Sequence, residues 1–250
     1  MPRDQRAVRP TNAMIITIDG PAGTGKSSVA QVVADWLGFD FLDTGAMYRA
    51  IGLAAIRRHA AMDDPRELAY VARHSRLQFD WTTQPPTLQL NGQPVSHLLR
   101  GSEATSAASI VAVIPAVREQ LVREQRQIGI ERPNLVTEGR DQGSVVFPDA
   151  GLKVYLDATP AERARRRSEQ LRARGEFVDP AKLQAEIAER DARDSGRRVG
   201  PLVVPDRAQV IDTSELDEPQ VVDRIVAMAQ ARLNLSHSHQ QVMQHVPPRS

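Results

Sequence analysis

The stretch that most constrains this chain is Gly20-Pro21-Ala22-Gly23-Thr24-Gly25-Lys26-Ser27. It fits the spacing G-x-x-x-x-G-K-[ST] without a gap. Before it, Ile15-Ile16-Thr17-Ile18-Asp19 is short, apolar and β-branched, which predicts a buried strand. After it, Val29, Val32, Val33, Trp36 and Leu37 fall at i, i+3, i+4, i+7 and i+8, which predicts a helix with one apolar stripe. Glycines let the backbone curl until successive N–H groups point inward, and the positive end of the helix lies beneath. Such a turn cradles phosphates. Lys26 adds a mobile cation that can reach the β- and γ-phosphates, and the Ser27 hydroxyl is placed to hold magnesium. Gly20 through Ser28, including Pro21, Ala22, Gly23, Thr24 and Gly25, are the expected nucleoside triphosphate contacts.

A chain of 250 residues can bury a full core, as one domain with insertions or as two small ones. The formal net charge of +1 supplies no global field to draw in nucleic acid or a membrane surface. There is no cysteine, which excludes disulfides, cysteine metal sites and thiol nucleophiles, and fits a reducing compartment. A cytoplasmic location is therefore expected. No apolar run approaches a membrane span. Met1 to Thr11 has arginines but no apolar centre, unlike a secretory signal. Residues 1–13 and 234–250 are expected to be disordered extensions, the second polar with His237, His239 and Pro247-Pro248. The two histidines are expected to be solvated, not metal ligands.

The punctuation of the chain predicts strands alternating with helices. Gly38 stops the first helix, and Phe39-Asp40-Phe41-Leu42 reads as a strand. Asp43-Thr44-Gly45-Ala46-Met47-Tyr48-Arg49 follows, with Thr44 as the expected cap of a helix through Ile51, Leu53, Ala54 and Ile56. Ligands of open α/β sheets bind past the C-terminal strand ends, so Asp43, Tyr48 and Arg49 stand where a second substrate could sit. Asp63 to His74 reads as helix. Residues 75–100 then switch to short alternating segments with an Asn91-Gly92 hairpin turn, a β-rich insertion expected over the acceptor substrate. Ser102 to Ile128 is helical with a break at Pro115 and carries Ser109 and Arg118. Leu135-Val136-Thr137 and Leu152-Lys153-Val154-Tyr155-Leu156 are strands, the first ending in Glu138-Gly139-Arg140-Asp141-Gln142-Gly143. Thr159-Pro160-Ala161-Glu162 has the spacing of a capping box. The helix it opens is dense in arginine: Arg163, Arg165, Arg166, Arg167, Arg172 and Arg174. In the next helix, from about Asp179, Arg190, Asp194 and Arg197 share one face at i, i+4 and i+7, unless Gly196 ends the helix first. Gln209-Val210-Ile211-Asp212 and Val221 to Leu233 are the last strand and helix. The fold class is α/β: a P-loop NTPase-type parallel sheet with helices on both faces, a small β-rich insertion and a helical lid over residues 160–200.

A phosphate loop serves switches, motors and small-molecule kinases. A guanine-reading N/T-K-x-D segment is missing. Val154-Tyr155-Leu156-Asp157 imitates the acidic strand end of a motor ATPase, but Asp157 also reads as an ordinary strand end before a capped helix. Arginines on a hinged helix pair suit a kinase whose lid closes over the transferring phosphoryl group and excludes water.

Together the phosphate loop, Asp43-Thr44-Gly45-Ala46-Met47-Tyr48-Arg49, Gly139-Arg140-Asp141-Gln142-Gly143 and Glu189-Arg190-Asp191 with Asp194 resemble bacterial cytidylate kinases, from about Met14 to Leu233. The resemblance implies transfer of the γ-phosphoryl group of ATP to CMP or dCMP, with Mg2+, giving a diphosphate. It implies that Ser109, Arg118 and Asp141 face cytosine, and that Tyr48, Arg49 and Arg140 surround the acceptor phosphate. Arg190 and Asp194 would reach the sugar, and Arg197 the phosphates. Asp43 and Thr44 are counted with the CMP-binding residues, and Lys26, Arg140, Arg190 and Arg197 as the catalytic cations. Ser144 stands where the family usually has threonine, and Ser195-Gly196 is an unusual lead-in to Arg197.

The residue chemistry agrees with a cytosine reader. Asp141 can accept from the N4 amino group, while Arg118 and Ser109 can donate to O2 and N3. Uracil presents an oxygen in place of that amino group and would meet a carboxylate. Kinases acting on UMP, AMP or a shikimate-type hydroxyl remain alternatives; a hydroxyl acceptor would need Asp43 or Asp157 as its orienting carboxylate. An ATPase stimulated by nucleic acid is a further one. The expected partners are ATP and CMP or dCMP, without nucleic acid or membrane, for a monomer.

Overall fold

The computed structural model describes residues 13–99, 101–173, 175 and 178–244. Five parallel strands, β1 (Met14–Asp19), β2 (Asp40–Asp43), β6 (Asn134–Gly139), β7 (Leu152–Asp157) and β8 (Gln209–Asp212), stand in the order β2-β6-β1-β7-β8. The strand that launches the phosphate loop is therefore central. Ile18 pairs with Glu138 and Asp19 with Gly139, so β1 and β6 end flush and their following loops open side by side.

Helices cover both faces. On one, α1 (Lys26–Leu37) and α8 (Glu218–Gln244) pack Val29, Val33, Leu37, Val222, Ile225 and Ala229 against Ile16, Ile18, Val154 and Leu156. On the other, α2 (Thr44–Arg57), α3 (Pro65–Arg73), α4 (Ser102–Val111) and α5 (Pro115–Glu131) enclose Met47, Ile51, Leu68, Val117, Leu121 and Leu135. Strands buried on both sides read as apolar runs without alternation. Trp36 departs from the expected stripe of α1: it is 57% exposed, because the buried arc of that helix is filled by Val29, Ala30, Val33, Ala34 and Leu37.

The insertion is a three-stranded antiparallel sheet of β3 (Leu77–Asp80), β4 (Thr87–Leu90) and β5 (Gln93–Pro94). Asn91 and Gly92 both have positive φ, 52° and 78°, the backbone a two-residue hairpin demands. Leu88, Leu90, Val95 and Leu99 join the core cluster of α2 and α3, so the insertion is anchored to α2. α6 (Pro160–Arg172) and α7 (Pro180–Ser195) have a separate small core of Ala164, Leu171, Leu183 and Ile187. A pair with its own core can move as a unit.

Three local expectations need correction. Asp43, not Thr44, caps α2: its Oδ1 accepts from Ala46 N at 2.8 Å, while the Thr44 hydroxyl donates to the Glu138 carbonyl at 2.7 Å. The box at Thr159 is only half formed, because Glu162 turns to Arg165 and Arg166 and the Thr159 N–H goes to Ser214 Oγ. The last helix runs past Leu233 to Gln244, where a disordered tail was expected. A five-residue π-turn, Gln142–Val146, was not foreseen at all. Residues 1–12, Arg174 and Pro247-Pro248 lie outside the described residues, as do the side chains of His237 and His239. No described helix is long and apolar enough to cross a membrane.

Candidate active site

The phosphate loop is built on glycines in a backbone region that side chains rarely adopt. Gly20, Gly23 and Gly25 have φ of 146°, 85° and 85°, and a Cβ on Gly20 would overlap the Leu156 carbonyl oxygen of β7. Lys26 Nζ donates to the Pro21 carbonyl at 2.6 Å, folding the ammonium back across its own loop. Burial, and then Arg140, push Lys26 down to about 7, against the pull of Glu138. Ser27 Oγ donates to Glu138 Oε1 at 2.8 Å. Burial, then Asp43, raise the Glu138 carboxyl above the usual range. Ser28 donates back to the Gly25 carbonyl at 3.0 Å.

Two lid residues fasten the loop from above. Asp191 on α7 accepts from Ala22 N at 3.3 Å and pairs with Arg163 on α6, which also donates to the Ala22 carbonyl at 3.2 Å. The other arginines of α6 go elsewhere. Arg166 holds Thr213 beyond β8, and Arg165 pairs with Glu162 and Glu169 on an exposed face. Of the arginines in this segment, Arg163 of α6 reaches the loop, while Arg190 of α7 and Arg197 just after it lie near Arg140.

Beside the loop lies a cluster of paired charges. Asp194 binds Arg140 Nε at 2.8 Å and also pairs with Arg197. Burial pushes the Asp194 carboxyl up, but Arg140, Arg197 and Arg190 outweigh it and hold it below its ordinary range. α7 does end at Gly196, yet Arg197 turns back to Asp194, so the helix end does not remove it from the cluster. Arg190 makes no ion pair among the described residues; burial and Arg140 lower it to about 10. Arg118 and Asp141 form a buried ion pair, with side chains 2% and 5% exposed. Arg118 also lies 5.6 Å from the centre of the Tyr48 ring, and burial raises the Tyr48 phenol to about 12. Arg49 pairs with Asp43 at 2.7 Å. Asp157 is exposed and accepts from its neighbour Ala158 N, as a strand end does.

Ser109, on α4 where it packs along α2, is buried without a hydrogen-bond partner among the described residues. Arg118 Nε and Arg197 Nε share that condition. Buried polar groups are normally satisfied, so Ser109, Arg118 and Arg197 each keep unused bonding capacity, as do Thr17, Ser75, Gln125 and Ser144. The structure thus brings Arg118 to Asp141 and Tyr48, Arg140 and Arg197 to Asp194, and Arg49 to Asp43. It joins Ser109 to none of them by a hydrogen bond.

Glu138, Asp19 and Asp191 also contact this region, and none of them is among the nucleotide-binding residues expected from the sequence. The available signal was a carboxylate ending each of two apolar strands beside the phosphate loop. Such a group is costly to bury without a task.

The family model described as cytidylate kinase matches residues 16–231 of this chain. The chain is 43% identical to the cytidylate kinase of Klebsiella pneumoniae (strain 342), over 89% of its own length and 97% of that protein. It is 45% identical to the cytidylate kinase of Caldanaerobacter subterraneus subsp. tengcongensis, over 84% and 92%. Among solved structures, a shikimate kinase from Bacteroides thetaiotaomicron superposes with a TM-score of 0.47 at 14% identity, covering 87% of this chain and 98% of that one.

Proposed function

This chain belongs to the cytidylate kinase family, and from that premise we propose which of its residues read each nucleotide. The activity is transfer of the γ-phosphoryl group of ATP to CMP or dCMP. Gly20 to Ser28 hold ATP, with Lys26 on the β- and γ-phosphates. Asp141, Arg118 and Ser109 read cytosine, whose N4 donor and O2 and N3 acceptors they match. Tyr48, Arg49 and Arg140 take the acceptor phosphate, with Asp43 fixing Arg49 and Thr44 fixing the start of α2. Arg190 and Asp194 lie toward the sugar, and Arg197 toward the phosphates.

The single observation that carries this reading is the buried Arg118–Asp141 pair, whose Arg118 Nε is left without a partner among the described residues. A hydrogen-bonding pocket rejects an analogue that cannot complete it far more strongly than an apolar pocket does.

Phosphate monoesters have a second pKa of about 6, so the acceptor is dianionic at neutral pH and no general base is required. The protein must bring two anions together and keep water out. Lys26, Arg140, Arg190 and Arg197 neutralise them, and docking of α7 onto Ala22 through Asp191 covers the loop. Mg2+ fits the residues present: Ser27 Oγ is a hard oxygen whose proton is directed at the Glu138 carboxylate 2.8 Å behind it, and this ion characteristically takes few protein ligands beside phosphates. When bound, it would neutralise charge on the phosphate oxygens.

We further infer a cytoplasmic monomer of pyrimidine nucleotide metabolism with no nucleic-acid partner; Arg163, Arg165 and Arg166 of α6 are engaged within the chain by Asp191, Glu162, Glu169 and Thr213. The test is ADP formation with CMP, dCMP, UMP and AMP under saturating ATP. Turnover with CMP and dCMP far above UMP and AMP is expected; equal kcat/KM for CMP and UMP would end the base-reading argument.

A further inference from the structure

The last residue of β1 makes contacts that the phosphate loop does not need. Asp19 is fully buried, and its side chain turns away from the loop toward the segment after β6. Oδ1 accepts from Gln142 N and Oδ2 from Gly143 N, each at 2.7 Å. These are the opening amides of the π-turn, which have no partner inside it. One carboxylate thus satisfies two buried donors that would otherwise be left without a partner.

Both amides directly follow Asp141. On the other side of that residue's own carbonyl, Val145 N and Val146 N donate to Asp141 O at 2.9 and 3.2 Å. The Asp141 main chain is therefore held from both directions. Its side chain pairs with Arg118. The Gln142 side chain extends the same framework: Nε2 donates to Gln125 Oε1 on α5 at 3.0 Å, and Oε1 accepts from Thr137 Oγ1 at 3.0 Å. Arg118 also lies on α5. Asp19 thus fixes the two amides that follow Asp141, and the Gln142 side chain ties the same segment to the helix that bears Arg118.

We propose that Asp19 is a positioning residue for pyrimidine selection, acting through the backbone of Gln142 and Gly143 to aim Asp141 at the base. This rests on the cytosine-reading role of Asp141 given above. Asp19 reaches the base only through that segment, and its neighbours in the chain form the ATP loop.

The test compares Asp19→Asn with wild type at about pH 8, above the value of about 7 to which burial pushes the carboxyl. The amide keeps the shape but turns one acceptor into a donor facing a backbone N–H. The kcat/KM ratio of CMP over UMP should fall about tenfold or more, through KM for CMP. Affinity for a non-hydrolysable ATP analogue should change by less than about threefold. An unchanged CMP:UMP ratio in the variant, beside a selective wild type, overturns the proposal alone. A wild type that does not prefer CMP takes down the cytosine reading and this inference together. Hydrogen exchange of nucleotide-free wild type decides the matter even if the variant fails to fold: Gln142 and Gly143 amides should be as protected as those of β1, and rapid exchange there means the anchor does not exist.

Discussion

Ser27 Oγ lies 2.8 Å from Glu138 Oε1 and donates to it, linking the phosphate loop to the end of β6. The proton of the serine is thereby directed at the carboxylate, and its lone pairs are left for a cation. Arg140, two residues beyond Glu138, pairs with Asp194 of the lid helix. One strand end thus meets both the phosphate loop and α7.

Glu138→Gln keeps the size of the side chain and one acceptor but removes the charge. The Mg2+ concentration for half-maximal activity is expected to rise about 10- to 100-fold, as for outer groups that support a metal site. CMP binding in the absence of metal should be unaltered. A Mg2+ titration at fixed ATP measures the first and calorimetry the second; an unshifted titration would remove Glu138 from the metal site.

Lys26→Ala should lower single-turnover phosphoryl transfer by about 100-fold or more, the scale of losing one charge-stabilising donor. Its effect on the CMP dissociation constant should be small, because Lys26 bonds within its own loop and not to the acceptor cluster. Rapid quench separates the two. Unaltered transfer would deny Lys26 a role in the chemical step.

Arg118→Met leaves Asp141 buried without a partner. Removing one member of a buried pair costs about 3–5 kcal/mol, whereas replacing both by apolar residues often costs far less. Denaturant unfolding of Arg118→Met, Asp141→Leu and the double variant should therefore be strongly non-additive. Additive losses would mean the pair does not exist in solution.

Asp19 also carries a pH signature. Burial raises its carboxyl from an unfolded value of 3.8 to about 7. The native state therefore holds a proton that the unfolded chain has lost over that interval. Its contribution to stability is complete below the unfolded value and drains away as pH rises toward the folded one. Lys26, Asp141 and Tyr155 face the same group, and Lys26 is pushed down only to about 7, so the useful window ends near pH 6.5. Between about pH 4.5 and about pH 6.5, the Tm of Asp19→Asn minus that of wild type should become steadily more positive. A constant difference would show that Asp19 titrates normally.

Much of this protein was written in short stretches. The loop from Gly20 to Ser27, the strand before it, the hairpin at Asn91-Gly92 and the break at Pro115 are each governed by backbone preferences over a few residues, and each stands where the chain predicted. Where a local pattern misled, a competing contact had changed the answer. Glu162 abandoned its capping role for Arg165 and Arg166 on its own helix, and Thr44 gave up the cap of α2 for the Glu138 carbonyl, 94 residues away.

What the amino-acid order determined by itself was the phosphate cradle, the alternation of strand and helix, and the kind of chemistry on offer, since these depend on neighbours. Tertiary structure alone decided that Ser27 meets Glu138 across 111 residues and Asp19 meets Gln142 across 123. Both contacts exist because β6 lies beside β1 in the sheet, an order set by packing two apolar faces rather than by any local signal.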